Sequence, residues 1–347
     1  MNRTYLDHNA TTPLRAEARA AMIAAMDVLG NPSSVHAEGR AAKSLMENAR
    51  RQVSDAMGAE GADIVFTSGA TEAAALACAG RELFSAGIEH DAVGAVTAER
   101  LAMDANGSVI IDAPDQSAVQ FANSETGVLQ NVPAGLAVCD MTQGFGKLPL
   151  DFIGSGVRMG LISAHKLGGP KGIGALVLRR GQDVPAMIKG GGQEMGRRSG
   201  TENIIGMAGF GAAAQAAAQD VANGRWERVA QLRNILEKAL EAASKKTIFV
   251  GYDAARLPNT SCILTPGWKG ETQVMQMDLS GFAVSAGSAC SSGKVKASRV
   301  LLAMGYDADQ AACAIRVSLG LETAQDDVLR FADVWAQKLK KHEARAA

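Results

Sequence analysis

The order of apolar runs and chain breakers predicts an α/β protein, with a large domain on a mostly parallel sheet and a smaller α+β domain. Three observations carry that expectation. Strand-like and helix-like segments alternate from about Thr12 to Ala222, the pattern of a sheet with crossover helices. An alanine-rich helical run, Ile204 to Ala222, stops at Asn223-Gly224, and a second helix follows from Arg225 to Ser244; Asn-Gly is a stop signal and marks the boundary. The chain is 347 residues long and 47% hydrophobic, more than one ordinary core needs. The expected division is 13–222 for the large domain, with 1–12 and 223–347 forming the small one.

Each element has a local reason. Thr12-Pro13 reads as a helix start, a capping hydroxyl followed by proline at the first helical position. Ile64-Val65-Phe66 reads as a strand running through Thr67-Ser68-Gly69-Ala70-Thr71-Glu72 into an alanine-rich helix, so N–H groups and hydroxyls gather at a helix N-terminus. Such a terminus serves either as a phosphate cradle or as an ordinary capped end. The apolar run from Leu136 ends at Asp140, with Gln143 on the following turn. Met159 to Ile162 reads as a buried strand that delivers Ser163-Ala164-His165-Lys166, after which Gly168, Gly169, Gly172 and Gly174 keep the backbone bare. Beyond the boundary the pattern gives strands Thr247 to Val250 and Ser261 to Thr265, a helix near Glu271 to Leu279, the segment of Cys290, a strand Cys313 to Leu319 and a terminal helix.

Lys166 alone has two readings, a solvated lysine in a Gly/Pro turn or a desolvated amine able to form a Schiff base with an aldehyde such as pyridoxal phosphate. The neighbouring segments favour the second. A carboxylate at Asp140 can keep a pyridinium nitrogen protonated, Gln143 can bond a ring hydroxyl, and the Thr67 to Glu72 turn can take a phosphate. Cys290, within Ala286-Gly287-Ser288-Ala289-Cys290-Ser291-Ser292-Gly293, is set among small residues suited to an exposed loop; a buried small hydrophobe is the other reading of a free cysteine.

The chain resembles the cysteine desulfurases, within the class V branch of the fold type I pyridoxal-phosphate enzymes. The resemblance rests on Tyr5 to Pro13, Gly30 to His36, Phe66 to Glu72, Glu89 to Val93, Asn123 to Gly127, Ser163 to Gly174, Gly190 to Glu194, Arg198 to Asn203, Ser288 to Cys290 and Ile315 to Gly320, in the family's order. It implies pyridoxal 5'-phosphate as cofactor, with Lys166 as the Schiff-base lysine, Asp140 on the pyridinium nitrogen, Gln143 on the ring hydroxyl and His90 stacked on the ring. Ala70, Thr71, Ser163 and His165 would hold the phosphate end, Ser124 would lie close to the cofactor, and Thr201 would reach the phosphate of a neighbouring subunit, so a homodimer is implied. Arg316 would clamp the substrate carboxylate, with Asn31 and Asn123 near the same pocket. Cys290 would be the nucleophile that takes sulfur from L-cysteine as a persulfide, leaving L-alanine, and passes it to a protein acceptor such as an iron–sulfur scaffold.

Composition narrows the field further. Thirty-five basic against 36 acidic residues give a formal net charge of -1, which offers no basic surface for nucleic acid or an anionic membrane. The apolar stretches are too short to span a bilayer and the first residues do not read as a secretory signal, so a cytoplasmic location is expected. Cys78, Cys139, Cys262, Cys290 and Cys313 are widely spaced without a C-x-x-C pair, suggesting neither a disulfide framework nor a metal site.

Several features depart from the family pattern. His90 follows Thr71 by only 19 residues and Asp140 follows Glu125 by 15, so connecting elements between Arg81 and Asp140 are trimmed; two buried strands still fit, with little cover outside them. Ser124 stands where relatives usually carry a second asparagine, Met195 where arginine is common, and the tail after Arg316 is short. The 26 residues from Cys290 to Arg316 leave room for a long loop, and Ser288-Ala289-Cys290 resembles the long-loop group of desulfurases, which implies direct sulfur transfer. Two alternatives stay open: a selenocysteine lyase or other class V lyase or aminotransferase, and a weakly active regulatory or binding relative.

Overall fold

The computed structural model describes residues 3–287 and 297–346. The first half contains β1 (Thr4–Tyr5), α1 (Ala16–Met26), α2 (Ala37–Ala56), β2 (Asp63–Thr67), α3 (Ala70–Cys78), β3 (Phe84–Ser85), α4 (Asp91–Gly94), β4 (Ala98–Glu99), β5 (Ala118–Gln120), β6 (Val138–Asp140), α5 (Phe152–Ser155), β7 (Met159–Ser163) and β8 (Gly174–Leu178). Two long helices, α6 (Ile204–Ala222) and α7 (Arg225–Ala243), lead into β9 (Ile248–Phe249), β10 (Thr260–Leu264), α8 (Gly270–Asp278), β11 (Phe282–Ala283), β12 (Ser285–Ala286), α9 (Arg299–Ala303), α10 (Ala308–Ala311), β13 (Ala314–Ser318) and α11 (Gln325–Ala346).

The large sheet has the order β2-β8-β7-β6-β5. β5, β6 and β7 are mutually parallel, while β8 is antiparallel to both β2 and β7, so four of the five strands point the same way. Every residue of β7 and β8 is buried, which explains their continuous apolar runs. Alternate residues feed two cores: Phe66, Ile162, Ala175 and Val177 pack with Met46, Val53 and Phe210, whereas Val65, Leu161, Leu176 and Leu178 pack with Ala74, Leu76 and Ala77 of α3. Helices therefore cover both faces. The register pairs Thr67 and Ser163 with Gly174 and pairs Gln120 with Asp140. The carboxyl ends of the parallel strands thus meet along one edge, where open α/β sheets bind ligands.

A second sheet is antiparallel, β12-β13-β10-β9, packed against α7 and α11 around Trp268 and Trp335, whose rings lie 5.6 Å apart. β1 pairs in parallel with β11, and Asp7 bridges to Ser318 of β13. The N-terminal segment is therefore laced into this sheet before it crosses to the large one.

Two expectations need correction. Thr12-Pro13 does not open a helix; α1 starts at Ala16. The Thr12 N–H donates to His165 O at 2.9 Å and its hydroxyl to Lys166 O at 3.0 Å, so this threonine is committed to the lysine turn instead of a cap. Between His90 and Asp140 the two buried strands that the spacing allows do form, β5 and β6, while the two residues of β4 are exposed. The expectation of little cover fails: Leu101, Met103 and Val109 pack with Ile88 and with Val300, Ala303 and Met304, so the trimmed segment finds its cover there.

One buried ion pair lies between α7 and the start of β10. Arg256 Nη1 and Nη2 donate to the two carboxylate oxygens of Glu237 at 2.7 and 3.0 Å, and Ser261 Oγ donates to the same carboxylate at 2.7 Å. Glu237→Ala leaves Arg256 buried without its partner, and urea denaturation is expected to register a loss of about 3–5 kcal/mol. A loss below about 1 kcal/mol would mean that this pair does not hold α7 to β10.

Candidate active site

Strand ends and one turn place the functional groups around a cavity of about 720 Å³, within the roughly 300–1,000 Å³ usual for cofactor clefts. β7 ends at Ser163 and a single 3₁₀ turn, Ala164–Lys166, brings Lys166 to the wall. Gly168 follows with φ of 91°, and the Arg15 side chain lies where a Cβ would stand, so glycine is required to turn the chain. Lys166 Nζ donates to Asn9 O at 2.6 Å and Ala10 O at 3.0 Å. Asp140, at the end of β6, accepts the Thr142 N–H at 2.9 Å, which fixes its carboxylate at the cavity wall. Gln143 is buried; its Nε2 donates to Asn9 O at 3.0 Å and its Oε1 accepts from Lys147 Nζ at 2.7 Å.

The opposite end of the cavity is the N-terminus of α3. Its N-cap is Gly69, with no side-chain cap, while the Glu72 carboxylate accepts the Ser68 N–H at 2.7 Å and Arg198 Nε at 2.8 Å. Ser68, Gly69, Ala70, Thr71, Ser163, His165 and Lys171 line this end. A Cβ on Gly69 would meet only Ser163 Oγ, at 3.8 Å; a side chain there would fill the cradle. His165 Nδ1 lies 3.2 Å from Thr11 Oγ1, and burial, with Lys166 and Lys171 nearby, lowers its pKa to about 4.

His90 caps α4, and its Nδ1 accepts the Ala92 N–H at 3.1 Å, which leaves Nε2 as the ring nitrogen carrying a proton. The turn before it is held by two buried amides, since Gln120 Nε2 and Asn123 Nδ2 both donate to Ile88 O at 3.0 Å. Arg316, on β13, donates from Nη2 to Asp7 Oδ1 at 2.7 Å and from Nη1 to Ser124 O at 3.0 Å, while its Nε is buried with no hydrogen-bond partner. An orphaned guanidinium N–H on a cavity wall fits an incoming carboxylate.

Lys166, Asp140, Gln143, Ser163, His165, Thr71, Ala70, His90, Ser124 and Arg316 all line this one cavity. Other expected site residues lie elsewhere. Asn123 is buried, with its Oδ1 accepting the N–H groups of Glu125 and Thr126, so it shapes the loop and does not line the cavity. Asn31 and Thr201 are exposed, away from the lining, and Cys290 lies outside the described residues. Sequence reasoning missed Asn9, whose place in the Tyr5 to Pro13 segment was its only signal, and Lys171, which follows the lysine turn. A second cavity, of about 630 Å³, shares Lys166 and is also lined by His8, Lys147 and Trp226.

These residues fit pyridoxal 5'-phosphate: an amine for the aldehyde, a carboxylate for the pyridinium, an amide for the hydroxyl, and an open helix N-terminus for the phosphate. The aminotransferase class-V family model matches residues 4–92 and 85–331, and the chain belongs to that family, a pyridoxal-phosphate-dependent class. Within it the chain is a cysteine desulfurase. It is 38% identical to a cysteine desulfurase of Cereibacter sphaeroides, over 96% of this chain and 95% of that one, and 39% identical to one from Frankia sp. (strain EuIK1), over 96% and 90%. The structure of a NifS-like protein from Rickettsia africae superposes with a TM-score of 0.87 at 30% identity, covering 99% of this chain and 100% of that one.

Glu89, next to His90, is 1% exposed, and neither carboxyl oxygen has a hydrogen-bond partner. Burial pushes its pKa well above the usual range; the Gln120 backbone N–H eases this, and Asp140 adds to it. The folded state therefore keeps a proton that the unfolded chain loses above about pH 4.3. Stability falls as pH rises from there toward the folded pKa, by up to about 1.4 kcal/mol per pH unit. Glu89→Gln removes that dependence, so the stability read by urea denaturation should fall less steeply as pH rises above 5 than in the wild type. An unchanged slope would mean that Glu89 is ionised in the folded protein.

Proposed function

We propose that the cavity around Lys166 takes sulfur from L-cysteine, releases L-alanine, and passes the sulfur through Cys290 to a protein acceptor. The observation that carries this reading is the convergence of Lys166, Asp140, the α3 N-terminus and Arg316 on one cavity. When bound, the cofactor supplies an electron sink for charge developing on the substrate α-carbon.

The chain's own groups do the rest. Asp140 keeps the ring nitrogen protonated, Gln143 donates to the ring hydroxyl, and Ala70, Thr71, Ser163 and His165 hold the phosphate. Neutral His165 serves as a hydrogen-bond donor there while Lys166 and Lys171 supply charge. Arg316 orients the substrate carboxylate with its Nε, its other nitrogens being engaged by Asp7 and Ser124. The Lys166 amine would take the α-proton and later return one to carbon. His90, with its proton on Nε2, serves the substrate thiol. The Cys290 thiolate attacks that sulfur; a sulfur–sulfur bond forms, the carbon–sulfur bond breaks, and the chain carries a persulfide.

The wider reading assigns 13–222 to the large domain, with 1–12 and 223–347 as the small one, and makes the enzyme a cytoplasmic homodimer in which exposed Thr201 completes the partner's phosphate site. Among the described residues no helix is long and apolar enough to cross a membrane. An iron–sulfur scaffold suits the acceptor role, with the long Cys290 to Arg316 spacing favouring direct transfer.

Purified protein loaded with pyridoxal phosphate and given L-cysteine with a reductant should release sulfide and alanine in equal amounts. Cys290→Ala and Lys166→Ala should each lower both by at least about 100-fold. Full turnover by Cys290→Ala, or alanine without sulfide, would contradict the persulfide route.

A further inference from the structure

Lys147 is an unused lysine beside the catalytic one. It lies on the turn after β6, four residues beyond Gln143, and is only 2% exposed. Among the described residues it forms no ion pair with a carboxylate. Its hydrogen bonds go to amide oxygens: Nζ donates to Gln143 Oε1 at 2.7 Å and to Asn9 Oδ1 at 3.2 Å. A buried ammonium without a counter-ion is costly, whereas a neutral amine with two N–H donors matches two oxygens. Burial and the charges of Lys166 and Arg316 all push Lys147 toward that neutral form. His8, also near, is itself held neutral, its pKa lowered to about 4 chiefly by burial, against the opposing pull of Asp7.

The consequence falls on Gln143. An amide has one acceptor end and one donor end, and nothing intrinsic says which faces a cavity. With Oε1 held by Lys147 and one Nε2 hydrogen taken by Asn9 O, the remaining N–H of Nε2 is what Gln143 can offer a ligand. We propose that Lys147 is a positioning residue that, as a neutral donor, fixes the amide of Gln143 with its N–H end toward the cofactor's ring oxygen. The inference rests on the assignment of Gln143 to that oxygen.

The test compares Lys147→Met, Lys147→Gln, Lys147→Arg and Gln143→Ala with the wild type. Two quantities are read on protein loaded with pyridoxal phosphate, namely cofactor affinity and the pH midpoint at which its visible absorption changes. A donated hydrogen bond favours the ring oxygen's anion, so Lys147→Met should weaken cofactor binding about tenfold and raise the midpoint by about one pH unit. Lys147→Gln, which restores a neutral N–H donor, should return both toward wild type, and it serves as the test if the methionine variant fails to fold. Lys147→Arg, charged beside Lys166 and Arg316, should not restore them. In a Gln143→Ala background Lys147→Met should leave the midpoint where Gln143→Ala puts it.

Rescue by arginine but not glutamine would show Lys147 acting as a cation and overturn the proposal. So would an unmoved midpoint in both neutral variants, or effects of Lys147→Met and Gln143→Ala that simply add. If Gln143→Ala alone leaves the midpoint unchanged, the assignment of Gln143 fails and the proposal falls with it; a midpoint moved by Gln143→Ala but not by Lys147→Met rejects only the role of Lys147.

Discussion

Asn9 is the constraint on which the rest of the site depends. It is wholly buried, and each of its polar groups is engaged. Its N–H donates to Ser318 Oγ at 3.0 Å, and its Nδ2 to Ser124 O at 3.2 Å and Thr260 Oγ1 at 2.8 Å. Its Oδ1 accepts from Lys147 and from Asn259 Nδ2, at 3.2 and 3.1 Å, and its backbone oxygen from Gln143 and Lys166, at 3.0 and 2.6 Å. Thr260 and Ser318 lie on β10 and β13, with Asn259 just before β10, while Gln143, Lys147 and Lys166 follow strands of the large sheet. One residue, through its side chain and its backbone groups together, thus sets the antiparallel sheet against the lysine turn. A fully satisfied buried network of this kind specifies one arrangement, because any shift of either sheet leaves several polar groups unpaired.

That geometry creates an electrostatic problem which ligands solve. Lys166, Lys171 and Arg316 are crowded around one cavity. The protein answers by keeping His8 and His165 neutral and by pairing Arg316 with Asp7, which also accepts Ser285 Oγ at 2.7 Å. An anionic phosphate and a substrate carboxylate relieve the remaining repulsion, so the site is built to bind anions before any step of chemistry. A parallel arrangement surrounds the stems of the segment that carries Cys290. Glu125, its pKa raised to about 7 chiefly by burial and opposed by the Ser298 hydrogen bond, accepts Ser298 Oγ at 2.6 Å. Ser298 in turn caps α9, and Arg299 donates from that helix to the carbonyl of Glu89. The turn of His90 and the first helix after Cys290 are therefore tied together.

Much of this was legible in the sequence because it is periodic or local. The helices Ile204 to Ala222 and Arg225 to Ser244 follow from composition and the Asn-Gly stop, and the structure places their ends within a residue of the reading. The strand delivering Lys166 shows itself as an unbroken apolar run, since both of its faces are buried. Thr12 misled because capping chemistry is a local signal, and the turn of Lys166, distant in sequence, took its hydroxyl and its N–H. The trimmed segment before Asp140 was visible as short spacing, but its packing on Val300 and Met304 depends on a contact no local pattern encodes. Asn9 and Glu89 showed only as members of family-like segments and Lys147 carried no signal, because what distinguishes them is burial and the partners the fold brings to them.

The central claim is that Lys166, among three lysines at or beside this cavity, is the one that carries the cofactor. Borohydride reduction of the pyridoxal-phosphate-loaded protein makes that linkage permanent, and peptide mass spectrometry then locates it. The modification is expected on Lys166, with Lys147 and Lys171 unmodified. A cofactor fixed to Lys147 or Lys171 would contradict it.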